Sequence, residues 1–170
     1  GLATYIGGTE STLFNEIHLD STAQLNTADS SIIGVQMIGF DFRYQAKKLQ
    51  TRGELFYSNF TNTDQYNAFT GKDIGSSMFG YYAEVGYDIS DILGINKRFV
   101  PFARYSEYNT HNTVSEEMEI NNSYDRTVVT TGFSLFLNES FVVKADYQNF
   151  SDANNNTRHQ FNSGIGFWFR

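Results

Sequence analysis

The chain has 170 residues, a formal net charge of -7, 16 Phe, 11 Tyr, one Pro and no Cys. This length suits a single unit spanning 1–170. The acidic balance excludes a phosphate-backbone partner, so no nucleic acid is expected. The lack of Cys removes disulfides, thiolate catalysis and Cys-ligated metal, and no apolar run approaches the roughly 20 residues of a membrane helix. Aromatic residues at 16% against only 18% charged favour strands over helices. A mean hydropathy of -0.40 suits both a soluble all-β domain and a membrane barrel with a polar lumen. If the chain spans a membrane, a closed barrel is the remaining way to satisfy its backbone.

In chain order, residues 2–8 read as a short strand. In the next strand Ile38, Phe40, Phe42 and Tyr44 alternate with Gly39, Asp41, Arg43 and Gln45. After a turn at 46–49, Leu55 and Tyr57 oppose Arg52, Glu54 and Ser58, and the two segments form a hairpin. The clearest segment is 78–90, where Phe79, Tyr81, Ala83, Val85, Tyr87 and Ile89 alternate with Gly80, Tyr82, Glu84, Gly86 and Asp88. Beyond a turn at 91–96, Phe99, Ala103 and Tyr105 lie opposite Val100, Phe102, Arg104 and Ser106, with Pro101 near the strand's start, where a missing N–H is best tolerated. Val129, Thr131, Phe133 and Leu135 then face away from Thr130, Gly132 and Ser134. The tight turn 138–140 leads to Phe141, Val143, Ala145 and Tyr147 against Lys144, Asp146 and Gln148. The last strand sets Phe161, Ser163, Ile165, Phe167 and Phe169 against Gln160, Asn162, Gly164, Gly166 and Trp168. About seven good strands result, with 2–8 as an eighth.

Connections at 46–49, 91–96 and 138–140 are short, whereas those at 61–77, 110–123 and 151–157 are long and polar. Short periplasmic turns and long outer loops are the membrane-barrel pattern, and counting back places Gly1 on the periplasmic side. Alternation alone equally suits a soluble sandwich or lipocalin-like barrel with its apolar side inward. The membrane reading is favoured because the polar face carries isolated ionisable groups of both signs among Gly, Ser and Asn. Tyr and Phe also gather near the turns, as aromatic girdles do. The expected fold is an all-β, transmembrane, antiparallel up-and-down barrel in a bacterial outer membrane.

Three stretches point to a family: residues 81–87 (Tyr81-Tyr82-Ala83-Glu84-Val85-Gly86-Tyr87), residues 100–108 (Val100-Pro101-Phe102-Ala103-Arg104-Tyr105-Ser106-Glu107-Tyr108), and 143–148 followed by 161–169. Together they resemble the C-terminal half of bacterial porins of the phosphate-selective porin O and P type. The resemblance implies an outer-membrane barrel with more strands than this chain supplies, passive diffusion of small solutes, and homotrimers or another membrane-complex partner. The closing aromatic strand is of the generic kind that the barrel assembly machinery recognises, and it departs from that kind in ending on Arg170. Outer-membrane lipid and lipopolysaccharide are the other expected partners. Phosphate selectivity does not transfer, because the polar face sets Arg43, Arg52, Arg104 and Lys144 against Asp41, Glu54, Glu84, Asp88 and Asp146, a mixed and slightly acidic set.

These nine residues are the candidate site. They either line an aqueous lumen and set its transverse field, or pair across strands to hold a barrel wall together. Asp20, Asp29, Asp64, Asp73, Glu116, Glu117, Glu119 and Asp152 lack calcium-loop spacing and read as solvated outer surface. His18, His111 and His159 lack zinc-ligand spacing and read as surface histidines. No Ser lies in Gly-x-Ser-x-Gly, so no catalytic residue, metal or cofactor is expected. The five Asn-x-Ser/Thr triplets are chance matches in an Asn-rich chain.

The expected function is a channel for passive diffusion of small hydrophilic solutes or ions. The alternative is a small complete eight-stranded barrel that anchors, adheres or binds a partner through its loops. Strand number separates them, since eight strands enclose only their own side chains. The segment 2–8 is shorter than the 9–11 residues of a tilted membrane strand, which favours a larger porin of which these are the last strands.

Overall fold

The computed structural model describes residues 1–11, 13, 22–116 and 118–169. The strands are β1 (Leu2–Gly8), β2 (Gly34–Ala46), β3 (Leu49–Thr61), β4 (Ser77–Tyr87), β5 (Arg98–Thr113), β6 (Asp125–Asn138), β7 (Phe141–Asp152) and β8 (Thr157–Phe167). Helices α1 (Thr22–Ser30), α2 (Thr63–Thr70) and α3 (Ser90–Leu93) lie in the connections. All eight strands form one antiparallel sheet in the order β1 to β8. Among the described residues no ladder joins β1 to β8, so both edges are unpaired.

Apart from register shifts at Ser77/Phe79 and Phe136/Asn138, the ladders from β2 to β8 keep the parity expected from the sequence. Arg43 faces Arg52, Arg52 faces Glu84 and Glu84 faces Arg104, while on the other side Tyr44 faces Thr51, Thr51 faces Val85 and Val85 faces Ala103. Alternate side chains point to opposite faces of a strand. The sheet therefore has one charged and glycine-rich face and one apolar face. The apolar face has no cover: Phe40 is 52% exposed, Val85 48% and Phe161 71%.

Several connections depart from their sequence expectation. The strand expected at 78–90 ends at Tyr87, and the turn after it contains α3 instead of being plain. The connection expected over 151–157 is only four residues long, because β7 runs to Asp152 and β8 starts at Thr157. There the Asp152 carboxylate accepts hydrogen bonds from the backbone N–H groups of Asn154 (3.0 Å) and Asn156 (2.9 Å), a side-chain turn that needs no long loop.

The longer connections at the same end fold into a cap. Asn62 Nδ2 donates to the carbonyls of Asp29 (3.0 Å) and Ile32 (2.8 Å). Asn67 donates through Nδ2 to Ile74 O at 2.8 Å and accepts from Ile74 N–H at 3.0 Å. These amides, of which Asn67 is buried, satisfy backbone groups that no ladder reaches.

His111 corrects an expectation. It is 1% exposed rather than a surface residue, its Nε2 lies 2.8 Å from Asp73 O, and its ring centroid lies 4.3 Å from that of Tyr124. The reason is that β5 continues to Thr113 beneath residues 71–77, so His111 sits on a covered strand. The approach is close enough that a Cβ at Gly75 would stand 2.6 Å from Thr110 O. His159 is exposed as expected, and His18 lies outside the described residues.

Two glycines on the charged face give a matched test. A Cβ at Gly132 would lie 2.4 Å from Ala145 O and 2.9 Å from Asp146 Cα, whereas one at Gly164 meets nothing within 4 Å. Gly132→Ala is expected to destabilise by about 1–3 kcal/mol, as overpacking against fixed backbone does. Gly164→Ala should stay within about 0.5 kcal/mol. Equilibrium urea unfolding of the two variants side by side checks both.

Candidate functional site

Strand register assembles the site, since each side chain of the charged face stands in a row perpendicular to the strands. One row runs Arg43, Arg52, Glu84, Arg104, Thr130, Gln148 and Gln160. The neighbouring row toward the cap begins Asp41, Glu54, Tyr82 and Ser106.

Glu84 is the hub. Its side chain is 12% exposed and accepts from Arg52 through Nε at 2.7 Å and terminal N–H at 2.9 Å. Arg104 donates to the same carboxylate at 2.9 and 2.6 Å, with its guanidinium carbon 4.8 Å from the Tyr82 ring centroid. Two charge-assisted forks on one carboxylate fix three adjacent strands. This part of the set is a wall-holding network.

The remaining members behave differently. Asp41 faces Glu54, and Arg43 faces Arg52. Like charges directly opposite one another are destabilising in a ladder, so these pairs do not hold the wall. They suit a wetted surface that screens them. Asp146 accepts from Asn162 Nδ2 at 2.8 Å, and Lys144 stands between Ser134 and Gly164. A cavity of about 330 Å³ brings Arg43, Arg52, Glu84, Arg104, Lys144 and Asp146 together.

Asp88 is set apart. It lies beyond β4, in the turn, where its carboxylate accepts from the Ser90 hydroxyl and, at 3.1 Å, from Ser90 N–H, with Arg98 Nε at 3.5 Å. Burial pushes its carboxyl up, but the Ser90 hydrogen bonds and the Arg98 guanidinium outweigh this and hold the pKa below the ordinary aspartate value. At the same end of the sheet Lys48, in the turn between β2 and β3, pairs across with Asp91, whose hydrogen bond raises the lysine's pKa.

The apolar face supplies a frame for depth. Phe161 on β8 shares a row with Tyr147, Thr131, Ala103, Val85, Thr51 and Tyr44. Phe161 begins the apolar stretch of β8 on the cap side, whereas Tyr44 ends that of β2, which begins at Ile38. The apolar band thus slides by the Ile38-to-Tyr44 distance, about 20 Å, across interstrand steps totalling about 29 Å, an incline of about 35°. Along β4 the band runs from Phe79 to Tyr87, about 26 Å of strand, which stands about 22 Å high at that incline.

Levelled by the same incline, Asp41, Arg43, Arg52, Glu54, Glu84, Arg104, Lys144 and Asp146 fall within about 8 Å of one height. They form a belt at mid-band with equal numbers of each sign. Asp88 and Arg98 lie below it, toward the short turns.

Sequence reading missed three residues. Arg126 and Arg158 share the inward parity but stand above the belt at the cap end, past the clear alternation. Glu107 occupies the apolar face, where the Tyr81 and Tyr105 hydroxyls each donate to it at 2.9 Å. Extending the period-two count past each apolar stretch finds all three. Among the described residues no acidic or histidine cluster able to hold a metal occurs. Asp20 and Glu117 lie outside those residues.

Compared with family models, curated proteins and solved structures, the chain matches none. The likeness to porins therefore rests on the quoted residues alone.

Glu84→Ala leaves two guanidiniums without their carboxylate and is expected to cost about 1–3 kcal/mol. Adding Arg104→Met should recover part of this, and a double-mutant cycle in urea measures the coupling. Because the folded pKa of Asp88 is depressed, its contribution is full above the ordinary aspartate value and is lost as pH falls through the lower folded value. Protease sensitivity of the 88–97 turn should rise in that acidic window, and Asp88→Asn should show it already at neutral pH.

Proposed function

We propose that the chain forms part of an outer-membrane β-barrel that passes small hydrophilic solutes or ions by passive diffusion. The observation that carries the reading is the incline of the apolar band. An apolar band lies level in a bilayer only when the strands tilt by the same angle. Transmembrane barrels tilt their strands about 35–45° and carry an apolar band about 25 Å tall, close to the values obtained here from register. Tyr57, Tyr81, Tyr105 and Tyr147 step down strand by strand along the cap side of the band, and Tyr44, Tyr87, Phe99, Phe141 and Phe167 along the turn side. Levelled, these are two aromatic girdles.

In this setting the charged belt lies at mid-membrane on the inward face. Mixed charge at that depth is tolerable beside water. Levelled, Glu107 stands at the height of Tyr57 within the upper girdle, with both carboxylate contacts supplied by girdle tyrosines. The short turns are then periplasmic and the cap outward.

The unpaired edges of β1 and β8 favour a channel over the alternative of a small closed barrel acting as an anchor or adhesin. An open edge has no stable place in hydrocarbon, so in this reading further strands cover β1 and β8, and a wider barrel leaves a lumen.

The test is single-channel recording of the full natural chain in planar bilayers. Discrete conductance steps are expected, and Arg104→Glu should shift the reversal potential in a salt gradient toward cation preference. No conductance from folded, inserted protein would overturn the channel reading. An unchanged reversal potential would remove Arg104 from the pore.

A further inference from the structure

We propose that Arg126, Arg158, Phe150 and Tyr108 form a binding site for small planar organic carboxylates at the cap end of the inward face. These side chains come from four adjacent strands. Register places Tyr108 opposite Arg126 and Phe150 opposite Arg158, and levelling by the incline sets all four within about 3 Å of one height, roughly 16 Å above the charged belt. They line a single cavity of about 260 Å³ with Asp152 and Asn156. That volume fits a one-ring acid and little more.

The two guanidiniums are presented for an anion. The Arg158 guanidinium carbon lies 4.5 Å from the Phe150 ring centroid. Stacking uses the face of the guanidinium and leaves its in-plane N–H edge, the part that meets a carboxylate bidentately. Arg126 donates through Nε to Ser123 O at 2.9 Å, and its guanidinium carbon lies 5.7 Å from the Tyr124 ring centroid. Among the described residues neither arginine has a carboxylate at ion-pair distance. The arginines around Glu84, by contrast, both have their N–H groups tied to a carboxylate.

The nearest acid is already engaged. Asp152 accepts from the backbone N–H groups of Asn154 at 3.0 Å and Asn156 at 2.9 Å, and from Asn156 Nδ2 at 2.8 Å. Asp152 also stands opposite Arg126 in the ladder and keeps its charge, so the cavity carries two guanidiniums against one carboxylate, a net positive balance.

The walls select the body of the ligand. Phe150 and Tyr108 offer ring surface that an inorganic oxyanion has no apolar area to cover. A planar ring carrying a carboxylate covers that surface and meets the N–H edges together. That such a ligand is captured from outside, ahead of the charged belt, rests on the channel reading above; the site itself does not.

The experiment is equilibrium binding of benzoate to the full natural chain folded in detergent micelles, followed by equilibrium dialysis, with benzamide and inorganic phosphate as comparators. Saturable benzoate binding at least about tenfold tighter than either comparator is expected. Arg158→Gln and Arg126→Gln should each weaken it about tenfold, with Arg158→Lys losing less than Arg158→Gln. Absent saturable binding, benzamide or phosphate binding as tight as benzoate, or indifference to both glutamine variants would overturn the site. The comparator test uses the unaltered protein and so survives misfolding of a variant. Benzoate binding without bilayer conductance would sink the channel reading and leave the site standing. Conductance without benzoate binding would do the reverse.

Discussion

Everything in this molecule hangs on strand register. Side chains alternate with a period of two, so a slip of one residue in any ladder sends an entire strand's charged set to the apolar face. A slip between β4 and β5 would part Arg104 from Glu84 and set Tyr105 in its place. Two features resist it. Both arginine forks converge on one carboxylate across β3, β4 and β5. Gly132 and Gly53 also admit close backbone approach, for a Cβ would stand 2.4 Å from Ala145 O at the first and 2.8 Å from Tyr82 O at the second.

A sheet so arranged does not rest on a packed interior. Among the described residues only Ala28, Ile33, Val100, Val128 and Val142 are buried hydrophobics, too few to offset the chain entropy of so many ordered residues. Cohesion falls to the ladders, the cap's amide bonds and whatever covers the apolar face. In the proposed membrane setting that cover is lipid, and the backbone bonds gain from having no water to compete with them. The like-charge pairs Asp41–Glu54 and Arg43–Arg52 then lie where water screens them, while the Glu84 network lies where the wall needs tying.

The two groups on the charged face divide the work by how their cations are partnered. At mid-band, Arg52 and Arg104 share Glu84 and are held as structure. At the cap end, Arg126 and Arg158 rest against aromatic rings and a carbonyl, with the nearest carboxylate committed to its own turn. The same residue type serves as a tie in one place and as an open donor in the other.

The sequence by itself determined the strands, their faces and the nine candidate residues, because alternation is a local property written into each segment. It also separated short connections from long ones, though it lengthened 151–157, where Asp152 makes a tight turn from residues that look like loop filler. It could not order the charges in depth. That order depends on how seven ladders add their offsets, and no single segment records it. Only the tertiary structure decided that eight charged residues share one level, that Asp88 belongs to a turn, that His111 is buried beneath the cap, and that Arg126 and Arg158 line one cavity with Phe150. Each of these is a relation between strands distant in sequence, created by hydrogen-bond register.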